Sequence, residues 1–396
     1  MPLFSSPWLL AYFLLAVVAL TGVLPLATSS RHHAAGGVAT DGAPPARLEG
    51  DQELLMTERF HGWMAKHGRS YATAEEKLRR LEIYRKNVEF IEAANRDGRL
   101  SYTLGENAFT DLTHEEFLAA YTSPAPPPEL MTEEEEDMVI TTRAGHVSEG
   151  ANFLPAADEV PDYVDWRQQG KVTGIKYMGK SCGACWAFAA VAAIESEYAI
   201  KNDVEPPVLS EQELIDCDTI DDGCRGGLPQ QAFSWLMDNG GIAEEWQYPY
   251  VNQNDNKSHA CQKDPRQTYP VKIKNYGYVG AMSEEKLMQA VARQPVAVRF
   301  GVTDLCLQHY RRGRYDGECI KEGGFVVNCS SNILNHAMAI VGYKGKGSDT
   351  DKYWIAKNSW GTEWGADGYF YIRKDVADPE GLCGIVKTSP SFPVVA

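Results

Sequence analysis

The sequence predicts an α+β protein, with helices gathered in its first half and short strands in its second. Apolar residues recur at three- and four-residue steps in 54–94 and again in 185–201, the spacing of helices with a buried face. Later, the runs 296–300, 337–343, 353–357 and 369–373 have the length and composition of strands. Helices first and strands after them give two halves able to face each other across a cleft. With 396 residues, 44% of them hydrophobic, the chain can build more than one core.

Taken in order, the chain opens with an uncharged apolar stretch at 8–20, followed by Pro25 and the small residues 27–30. This is shorter than a membrane span. It is read as a secretory signal peptide over 1–29, although no Lys or Arg precedes it; an N-terminal anchor helix is the alternative. No later segment has the length or apolarity to span. Within 55–120, a short helix around Phe60 and Trp63 precedes a long amphipathic one with Leu78, Leu81, Tyr84, Val88 and Ile91 on one face. Residues 121–158 carry Pro124, Pro126, Pro127 and Pro128 and the acidic run 133–137, which resist packing and mark an exposed, proteolytically accessible linker. From 159 to 396 the chain is globular, and Ser210 with Glu213 forms a capping box for a further helix.

The formal charge of −16 is unevenly placed: from residue 160 onward 25 Lys+Arg face 30 Asp+Glu, so −11 lies in the first 159 residues. Without a concentrated basic face, nucleic acid is excluded as a partner. All nine cysteines fall between Cys182 and Cys383, which implies a disulfide framework confined to the C-terminal unit. The odd count leaves at least one thiol.

A thiol acts as a nucleophile only as thiolate, which a helix N-terminus and a positive neighbour favour. Cys185 stands where the apolar helix of 185–201 begins, after the Gly183-Ala184 turn. The C-x-x-C spacing also admits a redox pair or a structural disulfide, but no thioredoxin-like βαβ pattern surrounds it. His336 and Asn358 lie beside apolar strands far along the chain and are candidates for a base and its orienting partner.

Here the sequence resembles the papain-like cysteine proteases. Cys182-Gly183-Ala184-Cys185-Trp186 is similar to the segment around their nucleophile. Val160-Pro161-Asp162-Tyr163-Val164-Asp165-Trp166-Arg167 resembles their mature start, Cys217 through Gly227 their E-L-x-D-C…G-C-x-G-G stretch, and Lys357 to Gly365 their N-S-W-G-x-x-W-G motif. In the first 159 residues Glu76, Arg80, Tyr84, Asn87, Ile91 and Asn95 keep the long-helix pattern of the family's inhibitory prodomain, with Tyr84 where Phe is usual. Gly105, Asn107, Phe109 and Asp111 fit its G-x-N-x-F-x-D motif.

The resemblance implies a fold: a helical left domain, a β-barrel-like right domain, a cleft between them, and a helical prodomain in front. It implies a secreted cysteine endopeptidase zymogen, without metal or organic cofactor, active on polypeptides in a vacuole, lysosome or extracellular fluid. Cys185, His336 and Asn358 would be catalytic, with Trp360 covering the His–Asn bond. Partners would be its own prodomain and cystatin-type inhibitors, with no membrane attachment after signal removal. Disulfides carried over are Cys182–Cys224, Cys217–Cys261 and Cys319–Cys383, leaving Cys306 and Cys329 to pair or stay free. The S2 pocket would be lined by Gly226, Gly227, Leu228, Pro229, Arg299, Leu334, Ala337 and Thr388.

Three departures matter. Family enzymes place an oxyanion-stabilising glutamine six residues before the nucleophile; here Met178, or Gly179 in the ungapped register, stands there, with one extra residue before the motif. A catalytically impaired relative with a binding or storage role is therefore the alternative reading. Arg299 replaces a small apolar pocket residue and must reach solvent, pair with an acid, or turn the pocket toward acidic or polar side chains. Sequons stand at Asn256 and Asn328; bonding of Cys329, inside the second, would disfavour a glycan there.

Overall fold

The computed structural model describes residues 46–123, 139–142, 147–149, 160–253, 255, 257–263, 268–345, 348 and 351–396. The expected signal peptide, most of the expected linker and Asn256 lie outside them.

The first elements are α1 (Ala46–Lys66), α2 (Ala74–Asp97), β1 (Tyr102–Leu104) and α3 (His114–Tyr121). Thr73 caps α2 through its side chain, and Thr113 and Glu116 form a reciprocal capping box on α3. The patterned residues of α2 each have a physical task. Arg80 bonds Glu76 at 2.6 Å and Glu116 at 2.7 Å, tying α2 to α3. The Asn87 amide donates to the carbonyls of Thr110 and Leu112, and Asn95 pairs with the backbone of Leu104 in both directions. Tyr84 packs its ring 5.2 Å from Phe60 and gives its hydroxyl to Glu106, which also takes Arg59 at 2.6 Å. A phenylalanine would leave that half-buried carboxylate with one partner fewer.

Two strands, β2 (Val139–Thr142) and β3 (Val147–Glu149), lie inside the stretch expected to be a plain linker. The β-branched run Val-Ile-Thr-Thr explains this local departure: it pairs antiparallel with β5 (Ile273–Tyr278) from Ile140↔Gly277 onward.

The remaining elements in chain order are β4 (Tyr163–Asp165), α4 (Cys185–Asn202), α5 (Glu211–Cys217), α6 (Pro229–Asn239), then after β5 α7 (Glu284–Val291), β6 (Val296–Phe300), α8 (Leu305–Gln308), β7 (Tyr310–Tyr315), β8 (Glu318–Ile320), β9 (Val326–Asn328), β10 (His336–Lys344), β11 (Tyr353–Lys357), β12 (Tyr369–Arg373) and β13 (Ser391–Val395). Helix α4 is apolar on nearly every side, as a buried helix must be, and packs against α6, β10 and β13. The Ser210 side chain caps α5, but the Glu213 carboxylate turns to Ala243 N and Tyr269 instead of closing the expected box.

The strands follow an open path, β1-β7-β12-β11-β10-β6-β13-β5-β2-β3, with β4 also on β10, so the right half is a curved sheet without barrel closure. The prodomain contributes its edge strand: β1 pairs with β7 from Tyr102↔Gly313 to Leu104↔Tyr310.

Four disulfides join Cys182–Cys224, Cys217–Cys261, Cys306–Cys319 and Cys329–Cys383. The expected Cys319–Cys383 bridge is not formed; Cys306 and Cys329, which the sequence leaves to pair with each other or stay free, bond Cys319 and Cys383 instead. The β8/β9 hairpin is the reason: it returns Cys329 to the Gly317 carbonyl (2.8 Å), beside the turn that carries Cys383, while Cys319 on β8 meets Cys306 of α8. Asn328 is exposed on β9, next to the bonded Cys329.

Candidate active site

Cys185 is the free cysteine among the described residues and the first residue of α4. Ala184, the N-cap, offers no side-chain cap, so the first amides of an 18-residue helix stay available to a negative sulfur. The turn before it is held by the Cys182–Cys224 bridge and by Gly183 N donating to Cys224 O at 2.7 Å. Gly227 cannot carry a side chain, since a Cβ there would stand 2.6 Å from Asp221 and 2.7 Å from the Trp186 ring.

His336 begins β10, and its Nε2 lies 2.8 Å from Asn358 Oδ1, just past the end of β11. Asn358 Oδ1 is an acceptor, so Nε2 carries the hydrogen and Nδ1 is left as the free base; Nδ1 is buried without a partner. The Trp360 ring lies 4.5 Å from the imidazole and excludes water from the His–Asn bond. Prodomain residues in turn cover Trp360: its Nε1 donates to Tyr121 O at 3.1 Å, and Phe117 meets its face edge-on at 5.1 Å.

Ser123, which no sequence pattern marks, lies at the nucleophile, at the start of the expected linker and just past the inhibitor domain. Its Oγ lies 3.3 Å from Cys185 Sγ and donates to Gly183 O, and its N–H donates to Asn335 O, next to His336. Burial pushes the Cys185 thiol up and the His336 imidazole down to about 4, with the Ser123 hydroxyl acting in the opposite sense on the thiol and the His–Asn bond on His336. Both shifts favour neutral thiol and neutral imidazole. The covered site is thus held away from the ion pair that makes a cysteine nucleophilic.

At the departed oxyanion position, Met178 is fully buried with its sulfur 3.4 Å from Ser359 Oγ. Gly179 cannot stand in for it: with φ at +80° and a virtual Cβ 2.2 Å from Gln253, no larger residue fits. The extra residue is absorbed by a bulge in which Gly179 and Ser181 are left-handed and Ser181 N donates to the prodomain carbonyl of Ala120 at 2.8 Å. The other residue expected to be unusual, Arg299, is half-buried and neither reaches freely into solvent nor meets a carboxylate among the described residues. It donates to Leu334 O at 2.6 Å.

Residues 160–394 match the papain family cysteine protease domain, and residues 60–117 match the cathepsin propeptide inhibitor domain. The chain belongs to the papain family. The senescence-specific cysteine protease SAG12 of Arabidopsis thaliana is 41% identical over 347 residues, covering 87% of this chain and 92% of that one. Among solved structures, a recombinant stem bromelain precursor (TM-score 0.70, 36% identity, 86% of this chain and 98% of that one) is a precursor, as is the digestive procathepsin L2 of Tenebrio molitor larval midgut (TM-score 0.70, 36%, 86% and 99%). This papain-family chain is accordingly a cysteine protease carrying its own propeptide inhibitor, and peptides are its substrates.

The inhibitor's second anchorage on the papain-family domain is a buried histidine. Asn107 Nδ2 donates to Gln308 O (2.8 Å), Gln308 Nε2 donates to the Phe109 and Leu112 carbonyls, and Gly105 N donates to His309 O. His309 itself is fully buried beside Phe90, with neither ring nitrogen bonded. Burial, followed by the neighbouring His114, pulls its pKa down to about 3. A histidine held neutral stabilises docking fully above its ordinary pKa of about 6.5, and that contribution is lost as pH falls from there toward 3. Covalent labelling of Cys185 in the full-length protein should therefore become detectable as pH drops below about 6. His309→Phe should move the onset to lower pH by about one unit; an unmoved onset would assign acid release to the carboxylates alone.

Proposed function

We propose that this protein is the zymogen of a secreted cysteine endopeptidase in which Cys185 is the nucleophile, His336 the acid and base, and Asn358 the residue that orients the imidazole. The observation that carries this reading is the His336 Nε2–Asn358 Oδ1 contact at 2.8 Å beneath Trp360, which fixes the tautomer and leaves Nδ1 to serve Cys185. The thiolate attacks the scissile carbonyl, the resulting oxyanion faces the Cys185 N–H, and His336 protonates the departing amine. A water then attacks the thioester as His336 takes its proton, releasing the carboxylic acid and restoring the Cys185 thiolate beside the His336 imidazolium. No step draws on a metal or organic cofactor.

The apolar leader of the sequence supports entry to the secretory pathway and final residence in a vacuole, lysosome or extracellular fluid. No helix among the described residues is long and apolar enough to cross a membrane. The open cleft of the processed form is also the surface that a cystatin-type inhibitor would occupy. A fluoromethyl-ketone or epoxide reagent should label Cys185 of the processed protein, located by peptide mass spectrometry, and stop peptide turnover in equal proportion. Labelling of the processed form at any other cysteine, with turnover preserved, would reject the assignment.

A further inference from the structure

The guanidinium of Arg299 is a cation set near the nucleophile without a counter-ion among the described residues. Strands β6 and β10 pair with Arg299 opposite Ala337, so the two side chains stand on one face of the sheet. Arg299 bonds the Leu334 carbonyl, and the next carbonyl, Asn335 O, takes the N–H of Ser123, whose Oγ lies 3.3 Å from Cys185 Sγ. Arg299 therefore faces the ground next to the scissile bond. Its neighbours there, Leu334 and Ala337, are apolar and buried.

A guanidinium has five N–H donors, and among the described residues the one acceptor it finds is the Leu334 carbonyl. Burial draws its pKa down to about 10, which still leaves it charged at any pH at which the enzyme would work. Removing a cation from water without an anion is costly, and an arginine fork matches a carboxylate in two parallel bonds. No Arg299 nitrogen is buried without a partner, so its remaining N–H groups are open to water or to a substrate group.

We propose that Arg299 makes this protease select substrates with an acidic side chain at the second residue on the amino side of the scissile bond, the P2 position, through a charge-assisted bond from the free edge of its guanidinium. This rests on the cysteine-protease reading above. It differs from an apolar pocket in a testable way: an apolar pocket cannot reward a carboxylate, whereas a buried cation rewards it and penalises a P2 Lys or Arg.

The test uses the processed enzyme and a set of fluorogenic peptides identical except for Glu, Asp, Leu or Arg at P2. The expected wild-type kcat/KM is about tenfold to thirtyfold higher for Glu than for Leu, with Arg poorest. Arg299→Val, a residue suited to the middle of β6, should invert the Glu/Leu order; Arg299→Lys should keep the preference for acid in weakened form. Thiol labelling by a reagent without a P2 side chain should persist in all three, slower in Arg299→Val, which loses a cation near the sulfur; comparing Glu with Leu within each variant then separates a loss of selectivity from a misfolded site. A wild-type preference for Leu that Arg299→Val leaves unchanged overturns the inference and leaves the protease reading standing. Labelled enzyme that turns over none of the peptides overturns both.

Discussion

Cys185→Ala in the processed enzyme is expected to lower peptide turnover by about 10⁵-fold, the scale on which deleting one member of a nucleophile–base unit removes the function of the whole. The fold should survive. Deleting one buried sulfur at the start of α4 costs about 1 kcal/mol at most, because the helix is anchored by Trp186, Phe188 and Ile194 in the core and by the Cys182–Cys224 bridge before it. Asn358→Ala should be milder, about 10²-fold in kcat, because it frees the imidazole to rotate without removing it. The ordering is the informative part: a catalytic unit predicts that adding Asn358→Ala to Cys185→Ala costs nothing more. Additive losses in the double variant would mean that Asn358 acts elsewhere.

The thiolate argument also sets the contrast between full-length and processed forms. In the full-length protein burial raises the thiol and lowers the imidazole, with the Ser123 hydroxyl acting in the opposite sense on the thiol, so latency is electronic as well as steric. Removing the covering segment readmits water to a sulfur that already stands at the N-terminus of α4.

Much of this was legible in the sequence because it is written as local pattern. The continuous apolar run after Cys185 has one outcome, a buried helix, and the short apolar runs 337–343 and 353–357 marked strands that the structure extends by a residue at each end or matches. What escaped has a common cause: it depends on which distant segments meet. Cys306 pairs with Cys319 because a hairpin turns between Cys319 and Cys329, and no spacing reveals that turn. The buried cluster behind α4, where Lys176 sits 2.8 Å from Glu195 and 2.7 Å from Glu211 and Lys357 also approaches Glu195, draws on three separate elements. Ser123 and His309 matter only because the prodomain crosses them. Glycine-rich or motif-bearing residues such as Gly227 and Asn107 were visible; lone polar residues at an interface were not.

Met178→Gln is expected to raise the turnover number of the processed enzyme by about 10²-fold while leaving the rate of thiol labelling nearly unchanged. Acyl transfer places negative charge on the carbonyl oxygen, and a donor already aimed at that point typically contributes 10²–10³ in rate. Met178 stands in a buried slot beside Ser359, and its sulfur has no hydrogen to give. The backbone here is already set for the substitution: Met178 N donates to Ser359 O at 2.9 Å, and Tyr250 donates to Met178 O at 2.6 Å, so a new side chain inherits a fixed starting point. Glutamine has nearly the volume of methionine, and Ser359 Oγ can donate to its carboxamide oxygen while the NH₂ faces the cleft. Alkylation of the thiolate develops no oxyanion, so the two assays should diverge, with kcat rising and labelling flat. Equal increases in both would place the effect on the thiolate. An active wild type whose kcat the substitution fails to raise would mean that another group, freed when the prodomain leaves, already supplies the missing hydrogen bond.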